Sequence, residues 1–205
     1  YAQLYLKEEI QAEALVRNLP GFARFLPLAA PFHGQVINAS TIAREAGVAR
    51  TTVAGYLDIL EETLLCFRLP AYEAKIRVRE RKLPKWYWCD AGIVRAMKRS
   101  SGITTPEERG SLFEGMVAQL IRAYRDYRSI CDDMYYWAPA GRSATEVDFL
   151  IVRGGDLIAI EAKSGSTFTE GWCRGLRAVA KLKGLQRRII VYPEGPALQT
   201  KDGID

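Results

Sequence analysis

The chain has 205 residues, a formal net charge of +5, and 48% hydrophobic and 26% charged residues. These proportions are ordinary for a globular protein with one large or two small cores. No apolar run nears the roughly 18 residues that cross a bilayer, and no signal peptide is visible, so no membrane partner is expected. Tyr1 in place of an initiator Met suggests a piece of a longer polypeptide. The four cysteines, Cys66, Cys89, Cys131 and Cys173, form no C-x-x-C pair, and His33 is the only histidine. That argues against a zinc site and against Ser-His or Cys-His catalysis, and it reads as reduced thiols in a cytoplasmic protein. The charge is uneven: residues 1–100 hold 15 Lys/Arg against 10 Asp/Glu, and residues 101–205 hold 14 of each. A basic first half suggests contact with nucleic acid there.

The first half reads as mainly helical. Glu8–Asn18 has helical spacing and stops at Pro20-Gly21, and Phe22–Ala30 is a short apolar segment bounded by Pro31. Over residues 38–63, Ser40 can cap a short helix and Gly47 can turn it. Arg50 or Thr51 then opens a second helix with apolar positions Val53, Tyr56, Leu57 and Leu60. A short helix, a Gly turn and a second helix make a helix-turn-helix, whose second helix meets the major groove with its first residues. Here those are Ala49, Arg50, Thr51, Thr52 and Ala54. Leu64–Leu69 and Lys85–Cys89 read as strands. The stretch Lys75–Lys85 between them has six basic residues and one acid. A strand pair after a helix-turn-helix is a wing, and Lys75, Arg77, Arg79, Arg81 and Lys82 could track phosphates on it. The alternative is a solvated hairpin edge whose charges blunt aggregation. Asp90-Ala-Gly92 starts a helix that runs to about Arg99. The breaker-rich residues 100–106 form the boundary, which gives domains 1–100 and 107–205.

The second half reads as helix, three strands, helix and strand. The first helix, about Glu107–Tyr127, has apolar positions Phe113, Val117, Leu120, Ile121 and Tyr124. Strands are expected at Met134–Ala138, Glu146–Val152, Leu157–Lys163 and Arg188–Tyr192, with a helix at Glu170–Leu182. Gly154-Gly155 is a two-residue hairpin turn between the second and third strands. It sets Asp148 opposite Glu161 and Glu146 opposite Lys163. Two opposed carboxylates repel, which costs stability unless a cation lies between them. A hairpin with a solvated polar face and a simple Glu146–Lys163 pair would produce the same pattern.

Element order and residues together resemble the PD-(D/E)xK nuclease superfamily. Asp148, Glu161-Ala162-Lys163 and Glu114 stand where that family carries its motif. The resemblance implies an αβββαβ restriction-endonuclease-like domain with a mixed sheet, making the chain an α/β protein of two domains. It implies Mg²⁺ (or Mn²⁺) held by Asp148, Glu161 and the Ala162 carbonyl. Lys163 would orient the attacking water and Glu114 would add an outer contact.

Tyr5–Ile10, Arg24-Phe-Leu, Asn38–Val48, Thr52–Glu61, Leu64–Pro70, Lys85–Gly92, Gly110–Glu114, Glu146–Leu150 and Ile160–Lys163 carry a second resemblance. Across nearly the whole chain it is similar to the C-terminal region of a prokaryotic AAA-type ATPase family, the domain of unknown function 4143. This implies an ATPase domain upstream as partner. No G-x-x-x-x-G-K-[ST] phosphate loop occurs in the chain, so ATP would act only through that upstream domain. The expected activity is metal-dependent cleavage of nucleic acid, double-stranded DNA by preference, with oligomerisation open. The competing expectation is a non-catalytic module that binds DNA or protein on a nuclease-like scaffold.

Overall fold

A computed structural model describes residues 16, 18–74, 79–140 and 145–205. Residues before Val16, which hold most of the expected Glu8–Asn18 helix and the segment Tyr5–Ile10, lie outside the described residues. So do Lys75 and Arg77. The chain divides into two units. One ends at Arg68 and resumes over Trp86–Thr105; the other comprises Leu69–Lys85 and Pro106–Asp205.

In the first unit, helix α1 (Leu19–Ala29) leads through a 3-10 turn (Ala30–Phe32) and a short strand β1 (Gln35–Val36) to α2 (Ala39–Ala46) and α3 (Arg50–Glu62). The cap of α2 is Asn38, not Ser40: its Oδ1 accepts from the Thr41 amide at 3.1 Å, which leaves Ser40 inside the first turn. Gly47 ends α2 at φ +65°, a conformation that costs a residue with a Cβ about 1–2 kcal/mol. Phe22, Phe25 and Tyr56 pack ring against ring between α1 and α3, and the Arg24 Nε donates to the Ala46 carbonyl at 2.8 Å. Strands β2 (Cys66–Leu69) and β3 (Lys85–Trp88) join β1 in the order β1-β3-β2, and α4 (Ala91–Met97) follows, capped by Asp90.

β2 and β3 form the expected strand pair, and the described residues of the connector between them bond to the second sheet. Residues 69–85 belong to the second unit. Tyr72 donates its amide to the Tyr136 carbonyl at 2.7 Å, Tyr136 returns one to Pro70 at 3.0 Å, and Arg81 bonds Ala138 at 2.9 Å. The physical reason is an exposed sheet edge: Tyr136 lies on β4, the outer strand of the second sheet, whose free amides and carbonyls need partners.

The second unit runs α5 (Pro106–Arg128), β4 (Asp133–Trp137), β5 (Val147–Arg153), β6 (Asp156–Ala162), a 3-10 turn (Glu170–Cys173) continuing into α6 (Arg174–Ala178), and β7 (Leu185–Val191). The sheet order is β4-β5-β6-β7, antiparallel except for β6–β7, which is parallel. This is the α/β arrangement with a mixed sheet expected for this half. The helix expected over residues 170–182 is shorter and mixed. In α5 the buried positions are Gly115, Val117, Ala118 and Ile121, whereas Leu120 and Tyr124, expected inside, are exposed. Among the described residues no helix is long and apolar enough to cross a membrane. All four cysteines are free thiols.

Candidate functional site

Gly154 and Gly155 turn the β5–β6 hairpin with φ of +57° and +96°, the backbone a two-residue turn requires and glycine supplies without strain. The turn sets the register. Arg153 pairs with Asp156, and the ladder continues to Phe149 opposite Ile160. One step further, Asp148 stands beside Glu161.

Neither carboxylate is on a solvated face. Asp148 is 2% exposed and Glu161 5%. They share a strand face with Leu150 and Ala159, two positions away, which pack with Cys173, Leu176 and Val179 of the covering helical segment. Phe149 and Ile160 on the opposite face are buried as well, so the hairpin is covered on both faces. Gly175 allows this close approach: a Cβ there would lie 1.7 Å from the Glu146 carbonyl oxygen and 3.4 Å from the Glu161 Oε2.

Within this interior the Asp148 Oδ2 accepts from the Ala162 amide at 2.8 Å. Lys163 places its Nζ 2.5 Å from the Glu161 Oε1 and 4.0 Å from the Asp148 Oδ2. Its own amide donates to the Val191 carbonyl of β7 at 2.9 Å, which fixes the end of β6. The expected Glu146–Lys163 pairing is not the one formed. Glu146 instead reaches Lys85 at 3.3 Å.

Nothing in the sequence gave Lys85 a place in the site: it stands at the end of a basic run and the start of a strand. It is 3% exposed, and its Nζ lies 2.9 Å from the Glu114 Oε1 and 4.0 Å from the Asp148 Oδ1, over the Tyr136 ring. The local signal was an ammonium opening an otherwise apolar strand, Lys85-Trp-Tyr-Trp88. The reason it goes inside is the charge already there. Four carboxylates (Glu114, Glu146, Asp148, Glu161) and two ammonium groups (Lys85, Lys163) leave a formal balance of −2.

Burial is the main force that pushes the Asp148 carboxyl well above the usual range, with the charges of Glu114 and Glu161 adding to it and those of Lys85 and Lys163 opposing it. Burial likewise raises Glu161, against the pull of Lys163. For Lys163, burial favours the neutral amine, but the charges of Asp148 and Glu161 outweigh it and hold the ammonium on to higher pH.

Among the described residues no three or more His, Cys, Asp or Glu side chains are grouped so that they could hold a metal ion. A hard cation such as Mg²⁺ keeps several waters and needs only one or two carboxylates, so the test falls on Asp148 and Glu161. Two observations fit it: the Glu161 Oε2 is buried with no hydrogen-bond partner, and the cluster lacks two positive charges. The cluster opens to solvent at Lys163 and Glu146, each about a third exposed.

The residues expected to contact nucleic acid fall in different units. Arg50 and Thr51 are exposed and Thr52 half-buried at the start of α3, which no side chain caps. Arg79, Arg81 and Lys82 belong to the second unit, where Lys82 pairs with Glu73 at 3.2 Å. The far end of α3 is acidic, and Arg68 binds Asp58 and Glu61 there.

Residues 1–107 match the model of a domain of unknown function, DUF8612. The chain belongs to that family. Residues 109–205 match a second domain of unknown function, DUF4143, so the expected likeness to DUF4143 holds for the second half and not for the first. The two matches meet beside the break between the units at Thr105 and Pro106. Uncharacterized proteins of Mycobacterium tuberculosis and Mycobacterium bovis are each 29% identical to this chain over 167 residues, which is 80% of this chain and 36% of theirs. The chain thus spans about a third of the length of the curated relatives it matches. A crystal structure of a protein from Vibrio cholerae aligns with 93% of this chain and 46% of its own at 16% identity, with a TM-score of 0.33.

Proposed function

We propose that the second half of the chain is a divalent-metal-dependent hydrolase of nucleic-acid phosphodiester bonds, acting on DNA. The observation that carries this reading is the opposed, buried pair Asp148 and Glu161, with Lys163 beside both and a net negative cluster around them. Asp148 and Glu161, with the Ala162 carbonyl, would hold Mg²⁺ or Mn²⁺. When bound, the ion neutralises charge on the scissile phosphate and lowers the pKa of a bound water. Lys163 stays an ammonium and is partly open to solvent, so it would hold a phosphate oxygen and orient the attacking water. Glu114 and Lys85 would fix the charge on the buried side of Asp148. Arg50 and Thr51 would approach a duplex, since their helix begins with uncapped amides and a cation. Its acidic far end would keep the rest of α3 off the phosphates. DUF4143 regions commonly follow AAA ATPase domains, which supports an ATPase partner outside this sequence.

One observation favours a second reading, a non-catalytic module that binds DNA or protein. Lys85 lies among three carboxylates and supplies internally part of the charge an ion would bring.

The test is cleavage of plasmid and oligonucleotide DNA with Mg²⁺, Mn²⁺ or EDTA, beside metal titration by calorimetry, for wild type and Asp148→Asn. Metal-dependent nicking and metal binding by wild type, both lost in the variant, are expected. A folded wild type that takes up neither metal nor cuts, yet retains DNA, would overturn the hydrolase reading in favour of the second.

A further inference from the structure

Helix α5 has two apolar faces. Gly115, Val117, Ala118 and Ile121 point into the second unit. On the other side Met116 is 50% exposed, Leu120 51%, Tyr124 55% and Tyr127 87%. A helix that is apolar on both sides is ordinarily covered on both, and large contiguous apolar patches mark contact sites. The outer residues are regularly spaced. Arg109, Phe113, Met116, Leu120, Ala123 and Tyr127 follow one another at alternating intervals of four and three, the seam of a two-helix coiled coil.

The seam is also self-complementary. Turned end for end about the level of Ala118, the helix sets Met116 against Leu120 and Phe113 against Ala123. The Arg109 guanidinium meets the Tyr127 ring, a cation–π pair. The charges agree with that direction. Glu107, Glu108, Arg109 and Glu114 make the first turns acidic, and Arg122, Arg125, Asp126 and Arg128 make the last ones basic. Such a gradient also suits the helix dipole, but only an antiparallel partner uses it together with the seam. A parallel pair would set Arg109 on Arg109 and Tyr127 on Tyr127 and would lay the acidic turns on each other and the basic turns on each other.

We infer that the outer face of α5 is a self-association surface on which a second copy of this chain packs its own α5 antiparallel. The inference is independent of the chemistry at Asp148.

Sedimentation velocity of the 205-residue chain over a concentration series tests it, with Leu120→Glu as the variant. Leu120 is half exposed, so the new carboxylate is tolerated in the monomer, and circular dichroism checks that the fold survives. Wild type is expected to reach twice its 23.0 kDa mass. Leu120→Glu should weaken the dimer by about tenfold or more, because it buries a charge against Met116. Register is read by disulfide trapping in a Cys89→Ser background, since Cys89 is the one thiol not fully buried. Chains with Met116→Cys should cross-link to chains with Leu120→Cys and not to one another. A wild type that stays monomeric, a dimer indifferent to Leu120→Glu, or a Met116→Cys chain that cross-links to itself would each overturn the inference. The first two would indicate that another part of a longer polypeptide, or no partner, covers the face.

Discussion

Replacing Lys85 with Met removes the one fully buried cation of the acidic cluster and preserves most of its volume. Its ammonium lies 2.9 Å from Glu114, 3.3 Å from Glu146 and 4.0 Å from Asp148. Deleting one partner of a buried ion pair costs roughly 3–5 kcal/mol, because the remaining charge is left uncompensated. Glu146 is a third exposed, so water screens its share, and the better-buried Glu114 and Asp148 carry most of the loss. Methionine recovers part of it through its apolar body. The expected net cost is about 3 kcal/mol, which for a unit of this size lowers Tm by about 10 °C. Thermal unfolding in EDTA at neutral pH and low salt reads it. A cycle with Glu114→Gln should return at least about 1 kcal/mol of coupling, since removing both charges leaves less unpaired than removing one. The cluster of the Lys85→Met chain is one charge more negative, so added Mg²⁺ should raise its Tm more than that of wild type. A fall in Tm below about 3 °C with no coupling to Glu114 would refute the counter-charge reasoning.

Two further outcomes follow from the same site. Asp148 and Glu161 hold their protons more tightly folded than unfolded, so the stability they contribute is complete below the ordinary carboxylate range and is lost as pH rises through their raised values. Metal-free protein unfolded with urea should therefore lose stability at this site as pH rises above the ordinary carboxylate range, and Asp148→Asn should flatten that slope; an unchanged slope would contradict the assignment. The carboxyls of Asp202 and Asp205, held low by Arg177 and Arg187, act oppositely and in a more acid window, where their stability is lost as pH falls. Gly175→Ala drives a Cβ to 1.7 Å from the Glu146 carbonyl, a backbone contact no rotamer relieves. It should cost about 3 kcal/mol or more. Gly55→Ala, on the exposed side of α3 with nothing within 4 Å of the new Cβ, should instead stabilise by about 0.5–1 kcal/mol. Equal effects in chemical denaturation would show that the close approach at Gly175 is not what matters.

Much of the second half was legible from local rules. Gly154-Gly155 between β-branched runs specified the hairpin and its register, so Asp148 and Glu161 could be placed opposite each other before any coordinates. Gly47 and the apolar spacing of Val53, Tyr56, Leu57 and Leu60 marked the helix pair for the same reason, since turn chemistry and periodicity act over a few residues. The cap on α2 lies two residues earlier than expected, because the helix already begins at Ala39 with Asn38 holding the Thr41 amide, and two neighbouring cap-forming residues leave the starting point open in the sequence.

Distant contacts were not legible. Period-2 alternation placed Asp148 and Glu161 on a polar face, but it could not show that the 170–178 segment covers that face, because covering depends on Gly175 meeting a carbonyl 29 positions away in sequence. Nothing local to the basic run before Lys85 showed that Pro70, Tyr72 and Arg81 bond along the open edge of the second sheet. Leu120 and Tyr124 carry the helical spacing of core residues, yet the sheet needed only one face of α5. What the sequence by itself determined is most of the elements and the hairpin register that opposes Asp148 to Glu161, consequences of short-range backbone preference. What only the tertiary structure decided is that Lys85 joins them. An ammonium in a basic loop and an ammonium inside a carboxylate cluster have the same local sequence, and they differ only in which charges the folded chain brings within about 4 Å.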